Sequence, residues 1–143
     1  MSSDLNVSSG LDHRRPLVIA ARRTPIATKG AQLAHHTAER LAAPVIRACV
    51  ADAARATGAH LCVGDVILGN CMGPGGNTAR LSALAAGLGV CVPGMTIDRQ
   101  CGSGLAAIIS AAEAIRAGDD RPRVAGGTES ASTAPTRVAA GAA

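Results

Sequence analysis

"GMTIDRQCGSGLAAIISAAEAI", residues 94–115, changes rhythm half-way. Pro93 opens a short β-prone run, "GMTIDR", which predicts a strand. From about Ser103 to Ala117 small apolar residues predominate, which predicts a buried helix, and Gly118 stops it. Between the two lies a tight turn in which Cys101 follows polar residues and precedes Gly-Ser-Gly. In α/β proteins, turns from a strand into a helix are where ligands are handled.

The same alternation extends in both directions. "PLVIAA", 16–21, is a continuous apolar run that predicts a strand buried on both faces. "RRTPIATKGAQLAHH" reads as a loop. Thr37 is placed to cap a helix with Glu39 in its first turn, and Leu41, Val45, Ala48 and Cys49 run along one side. Pro44 predicts a kink or a late start. Gly58 ends the helix. "DVILGN", 65–70, is a second strand, "CMGPGGN" loops out of it, and Asn77 caps "TARLSALAAGL", ending near Gly87 to Gly89. A fourth strand has only Val124 and Ala125 to build on, and Pro122 just before them argues against a central position. Helices alternating with strands imply the α/β class, with a largely parallel sheet and helices packed on it. Residues 1–15 are expected to be a disordered leader, 16–137 one α/β domain, and 138–143 an unstructured tail.

Composition narrows the function. The chain has 143 residues, 48% hydrophobic and 17% charged, enough for one folded domain. It contains no Phe, Tyr or Trp, so the core rests on Ala, Val, Leu and Ile. Such a core buries little area per side chain and needs either close backbone approach or more protein around it. The net charge of +4 reads as a basic surface. Without aromatic platforms, single-stranded nucleic acid is excluded by the usual mode, and no duplex-binding motif is present. No apolar run reaches the ~20 residues of a membrane helix and no secretory signal opens the chain, so no membrane partner and a cytoplasmic location are expected.

Five cysteines, Cys49, Cys62, Cys71, Cys91 and Cys101, make an odd set suited to free thiols. None has zinc-ligand spacing with another Cys or a His, and His35-His36 reads as solvated loop, so no metal is expected. The glycines at 73–76 lack the Lys-Ser/Thr of a phosphate loop and read as a plain turn. Cys49, Cys62, Cys71 and Cys91 read as small hydrophobes. Cys101 admits two readings, the same packing role or a nucleophile. At the start of a helix, unpaired N–H groups and the positive dipole end stabilise a thiolate and can hold an oxygen that becomes negative during acyl transfer. Gly102 and Gly104 leave room for a substrate, and sulfur exchanges acyl groups readily with other thioesters.

These segments, with "RRTPIATKG", "VILGNCMGPGGNTARLSALAAGL", "VPGMTIDRQCGSGLAAIISAAEAIRAGD" and "AGGTESAS", resemble in order and spacing the N-terminal part of the thiolase family of acetyl-CoA acyltransferases. The resemblance implies a truncated thiolase-like first half, with the last strand of its sheet returning only after an inserted loop domain. It implies acyl transfer between coenzyme A thioesters, with those thioesters as substrates and no bound cofactor, through a thioester on Cys101 whose own N–H lines part of an oxyanion hole. It also implies homo-oligomers. In the family a histidine, a second cysteine and an Asn-containing motif of the C-terminal half complete the site. None of His13, His35, His36 or His60 lies in a matching motif, and the likeness fades after Arg137. The expectation is therefore an acyltransferase inactive as this chain alone. The alternative is a non-catalytic remnant or interaction module that associates with itself or with a separate C-terminal half.

Overall fold

Val66, Ile67 and Leu68 are 0%, 1% and 4% exposed, the signature of a strand covered on both faces. They belong to β1 (Asp65–Gly69), the centre of a three-stranded sheet ordered β2-β1-β3, with β2 at Gly94–Ile97 and β3 at Arg123–Gly127. Both pairings are parallel; Gly69 stands level with Ile97 on one side and Gly127 on the other. The helices are α1 (Ala38–Thr57), α2 (Thr78–Ala85) and α3 (Ser103–Arg116). The computed structural model describes residues 14–138 and 141. The expected leader lies outside the described residues up to position 13, as does most of the expected tail.

Alternation along β1 sorts the core into two clusters. Val66 and Leu68 face α1 and α2, packing with Ala42, Ala43, Ile46, Ala79 and Ala83. Ile67 faces the other way, onto Ala107 and Ala111 of α3. The result is a helix–sheet–helix sandwich. The crossovers β1–α2–β2 and β2–α3–β3 run in opposite directions across the sheet, and so place their helices on opposite faces. With no aromatic residue to fill space, the layers close through alanine and glycine. A Cβ on Gly94 would lie 2.5 Å from the Arg80 nitrogen, so β2 touches the backbone of α2.

The apolar run 16–21 is not a strand. It is extended but makes no ladder, and Leu17 and Val18 are 67% and 84% exposed. A strand needs a neighbouring backbone to bond with, and here a cleft of about 660 Å³ opens between this segment and β3, floored by Ile46, Ala111, Ile115 and Val124. Arg22 instead ties the segment to α1 through Asp52, whose carboxyl that hydrogen bond holds below the usual carboxylate range. Among the described residues the outer edge of β3 therefore has no partner.

β3 itself forms despite its composition. It is an edge strand, which accommodates Pro122 immediately before it, and the Pro122 carbonyl accepts the Gly64 N–H at 2.8 Å. Arg123 is anchored by Asp65 at 3.3 Å and by Asp119, so charge pairing does what apolar side chains do in β1.

α1 runs through Pro44 without interruption. Pro44 and Arg40, whose carbonyl loses its usual donor, both lie on the exposed side, where water replaces the missing bond. Thr37 precedes the helix but does not cap it; its hydroxyl bonds the Glu39 carboxylate. Gly58 ends α1 in the left-handed conformation (φ 66°), and Asn77 caps α2 by accepting the Arg80 N–H at 3.1 Å, as their sequence positions imply. α2 stops at Ala85, short of the expected Gly87.

Replacing Ile67 by Ala removes the side chain that joins sheet and α3, and is expected to cost about 2–5 kcal/mol. A urea midpoint unchanged from wild type would contradict this packing.

Candidate active site

A parallel sheet collects the C-terminal ends of its strands on one side. Asn70 and Cys71 follow β1, Asp98 to Cys101 follow β2, and Thr128 and Glu129 follow β3. The start of α3 settles onto this edge, and glycine is what lets it. A Cβ on Gly69 would lie 2.4 Å from the Ser103 carbonyl carbon and 2.5 Å from the Gly104 nitrogen. One on Gly127 would lie 3.3 Å from the Gly104 Cα.

Cys101 sits where the sequence analysis puts it, in the turn immediately before α3, and it is exposed. The preceding residue, Gln100, takes φ 51°, the one left-handed residue other than glycine among those described. For an L-residue that conformation costs roughly 1–2 kcal/mol. Ser103 holds it in place. Its hydroxyl donates to the Gln100 carbonyl at 2.6 Å and accepts the Arg99 N–H at 2.7 Å. The Ser103 N–H bonds the same Gln100 carbonyl at 3.1 Å, and the Gly102 N–H bonds that of Arg99 at 3.1 Å. By contrast the N–H groups of Cys101, Gly104 and Leu105 find no acceptor among the described residues. An exposed cysteine thus stands two residues before a 14-residue helix whose first turn carries free amide donors. Such donors can hold an oxygen that becomes negative during acyl transfer.

The other cysteines divide differently from expectation. Cys62 and Cys91 are exposed, so they are not core hydrophobes. Cys49 is half-buried, and burial pushes its thiol up. Cys71 lies at the site: its Sγ is 3.1 Å from the Gln100 carbonyl oxygen and 3.2 Å from the Ser103 Oγ. Glu129 faces the same loop, and Thr128 and Ser130 bond back to the carbonyls of Ala38 and His36 at 2.7 and 2.8 Å. Sequence reasoning marked "AGGTESAS" as a motif without giving any of its residues a task. No hydrogen bond among the described residues joins His35, His36 or His60 to the Cys101 turn. No three His, Cys, Asp or Glu side chains among them group as a metal site requires.

Comparison with known proteins decides the lineage. The family model for the thiolase N-terminal domain matches residues 17–143. The chain belongs to the thiolase family. That match runs past Arg137, beyond the quoted motifs. YhfS of Bacillus subtilis (strain 168), named as a candidate acetyl-CoA C-acetyltransferase, is 48% identical over 119 residues, 83% of this chain and 31% of its own length. VraB of Staphylococcus epidermidis, named likewise, is 42% identical over 125 residues, 87% of this chain and 32% of its own. The crystal structure of a Bacillus anthracis acetyl-CoA acetyltransferase superposes with a TM-score of 0.75 at 42% identity, covering 85% of this chain and 31% of that one. This thiolase-family chain therefore spans about a third of the length of the relatives it matches.

Because Gly69 lies against backbone, Gly69→Ala must push the start of α3 off the sheet, an overpacking cost of roughly 1–3 kcal/mol. In a two-dimensional amide spectrum the largest shifts should fall on residues 100–104. An unchanged melting point with unmoved signals there would contradict the close approach.

Proposed function

We propose that this chain carries the acyl-accepting half of a thiolase reaction, with Cys101 as nucleophile and coenzyme A thioesters as substrates. The observation that supports this reading most is the exposed Cys101 in the turn into α3, with its own N–H and those of Gly104 and Leu105 unpaired among the described residues. The Cys101 thiolate attacks the thioester carbonyl carbon, and the carbonyl oxygen takes the negative charge beside the Cys101 N–H. The carbon–sulfur bond to coenzyme A then breaks, and the coenzyme A thiolate leaves with the electron pair. The acyl group stays on Cys101 as a new thioester, so the bonds formed and broken balance. The likeness in name of the relatives to acetyl-CoA C-acetyltransferases favours a short acyl group.

Completing a cycle needs proton transfer to and from the thiol and the second substrate. General acid–base assistance contributes typically ~10²–10⁴-fold, and no described histidine is hydrogen-bonded to the Cys101 turn. In this reading residues 16–137 form one incomplete α/β unit that loads an acyl group slowly and does not turn over.

A second reading is favoured by a separate observation. Leu105, Ile108 and Ile109 of α3 are 64%, 47% and 44% exposed, and Ile108 also lines the open cleft beside β3. An apolar helix face of this kind favours association. Its occupant in this reading is the remaining part of a thiolase, supplied as a separate chain. Sedimentation that finds a monomer stable to dilution, with or without that part, would count against it.

Incubation with acetyl-CoA followed by peptide mass spectrometry tests the first reading. One acetyl group on Cys101, its loss in Cys101→Ser, and negligible cleavage of acetoacetyl-CoA are expected. Equal labelling of all five cysteines, or turnover at ordinary enzyme rates, would overturn it.

A further inference from the structure

The motif stretch after β3 has a task once the register of the sheet is followed outward. Gly69 is level with Gly127 on one side and with Ile97 on the other. The pairing ends there, and counted two residues further on the same register would bring Cys71 between Glu129 and Arg99. A line from Glu129 through Cys71 therefore crosses the end of the sheet toward the turn that presents Cys101.

Hydrogen bonds follow that line. The Glu129 carboxylate accepts the N–H of Cys71 at 2.8 Å, that of Met72 at 3.2 Å, and the Asn70 side-chain amide at 2.8 Å. Asn70 is itself 8% exposed and also donates to the Thr128 carbonyl at 2.9 Å. Thus fixed, the loop after β1 sets the Cys71 Sγ 3.1 Å from the Gln100 carbonyl oxygen. That oxygen already receives the Ser103 hydroxyl at 2.6 Å and the Ser103 N–H at 3.1 Å. Three donors converge on one carbonyl, which has two lone pairs. The peptide linking Gln100 to Cys101 is trans and planar, so its N–H points opposite to its C=O. Whatever holds the Gln100 oxygen also aims the Cys101 N–H away from the cluster. The left-handed φ of Gln100 makes this orientation one that the turn would relax from without its bonds.

We propose that Glu129 is a positioning residue for acyl transfer, acting through the Cys71 thiol on the Gln100–Cys101 peptide and so on the N–H that meets the developing oxyanion. This rests on the reading of Cys101 as acyl acceptor. The carboxylate form matters: it offers acceptors only, and charge-assisted bonds are roughly twice as strong as neutral ones. A glutamine keeps one acceptor oxygen but turns an NH₂ toward the same N–H donors. Cys71 becomes a link between two strands' ends and not a spare hydrophobe.

Two chemistries at the same sulfur separate aiming from mere stability. Acetylation by acetyl-CoA passes through an oxyanion and uses the Cys101 N–H; alkylation by iodoacetamide forms no oxyanion and does not. Both rates are read at Cys101 by peptide mass spectrometry on the 143-residue chain, in wild type and in Glu129→Ala, Glu129→Gln and Cys71→Ala. Removing an oxyanion donor outright costs about 10²–10³-fold; misaiming it is expected to cost about tenfold. Acetylation should fall by that factor in Glu129→Ala and Cys71→Ala and less in Glu129→Gln, with alkylation within about twofold of wild type. If Glu129→Ala fails to fold, Cys71→Ala decides alone, since it deletes only the thiol link. Acetylation and alkylation falling together, or neither falling, would overturn the proposal while leaving Cys101 as acyl acceptor. Wild-type protein that takes no acetyl group at Cys101 would overturn both.

Discussion

The contact between the first turn of α3 and the ends of β1 and β3 is made of backbone against backbone. Gly69, Gly104 and Gly127 meet there with no Cβ between them. That closeness has three consequences. It lets a core without aromatic residues close, because layers separated by alanine and glycine leave little space to fill. It brings the end of β1 within hydrogen-bond reach of the turn, and the end of β3 within reach of β1. It also leaves Gln100 in a left-handed conformation, held by Ser103, with Cys101 next in the chain and open to solvent. The chemistry proposed for the sulfur is thus a result of packing, and the packing is a result of glycine.

The architecture also explains where a site can form and where it stops. Parallel strands gather their C-terminal ends, and opposed crossovers put α2 and α3 on opposite faces, so the loops after all three strands share one edge. Asn70, Cys71, Ser103 and Glu129 are drawn from segments up to 59 positions apart, yet form one connected network. On the far side of β3 no described residue pairs with the edge, and a cleft separates it from residues 16–24. The described molecule is closely packed around the Cys101 turn and open beside β3, and the chain spans about a third of its relatives' length.

Much of this was legible in the sequence, for physical reasons that differ by element. β1 announces itself because Val66, Ile67 and Leu68 are buried on both sides. α3 does so because small residues sustain a helical period up to Gly118. The turn at Cys101 follows from those two. Residues 16–21 misled because an apolar run reports burial potential, not a bonding partner, and no described strand bonds them across the cleft. β3 was obscure because Arg123 is stabilised by Asp65 and Asp119, and because Gly126 and Gly127 serve close approach, not propensity. The parts of the site that escaped, Ser103, Cys71 and Glu129, act through contacts between strand ends. Pairing register brings those together, and no local pattern shows register; the one available signal was the "AGGTESAS" stretch, specific enough to notice but mute about its target.

The central claim is that an acyl group on Cys101 places its carbonyl oxygen against the free N–H at the start of α3. A crystal structure of the chain after reaction with acetyl-CoA tests it most directly. The account predicts the acetyl oxygen about 2.7–3.1 Å from the Cys101 nitrogen, with Gln100 still left-handed. An acetyl group turned away from that amide, or an amide already bonded within the protein, would contradict it.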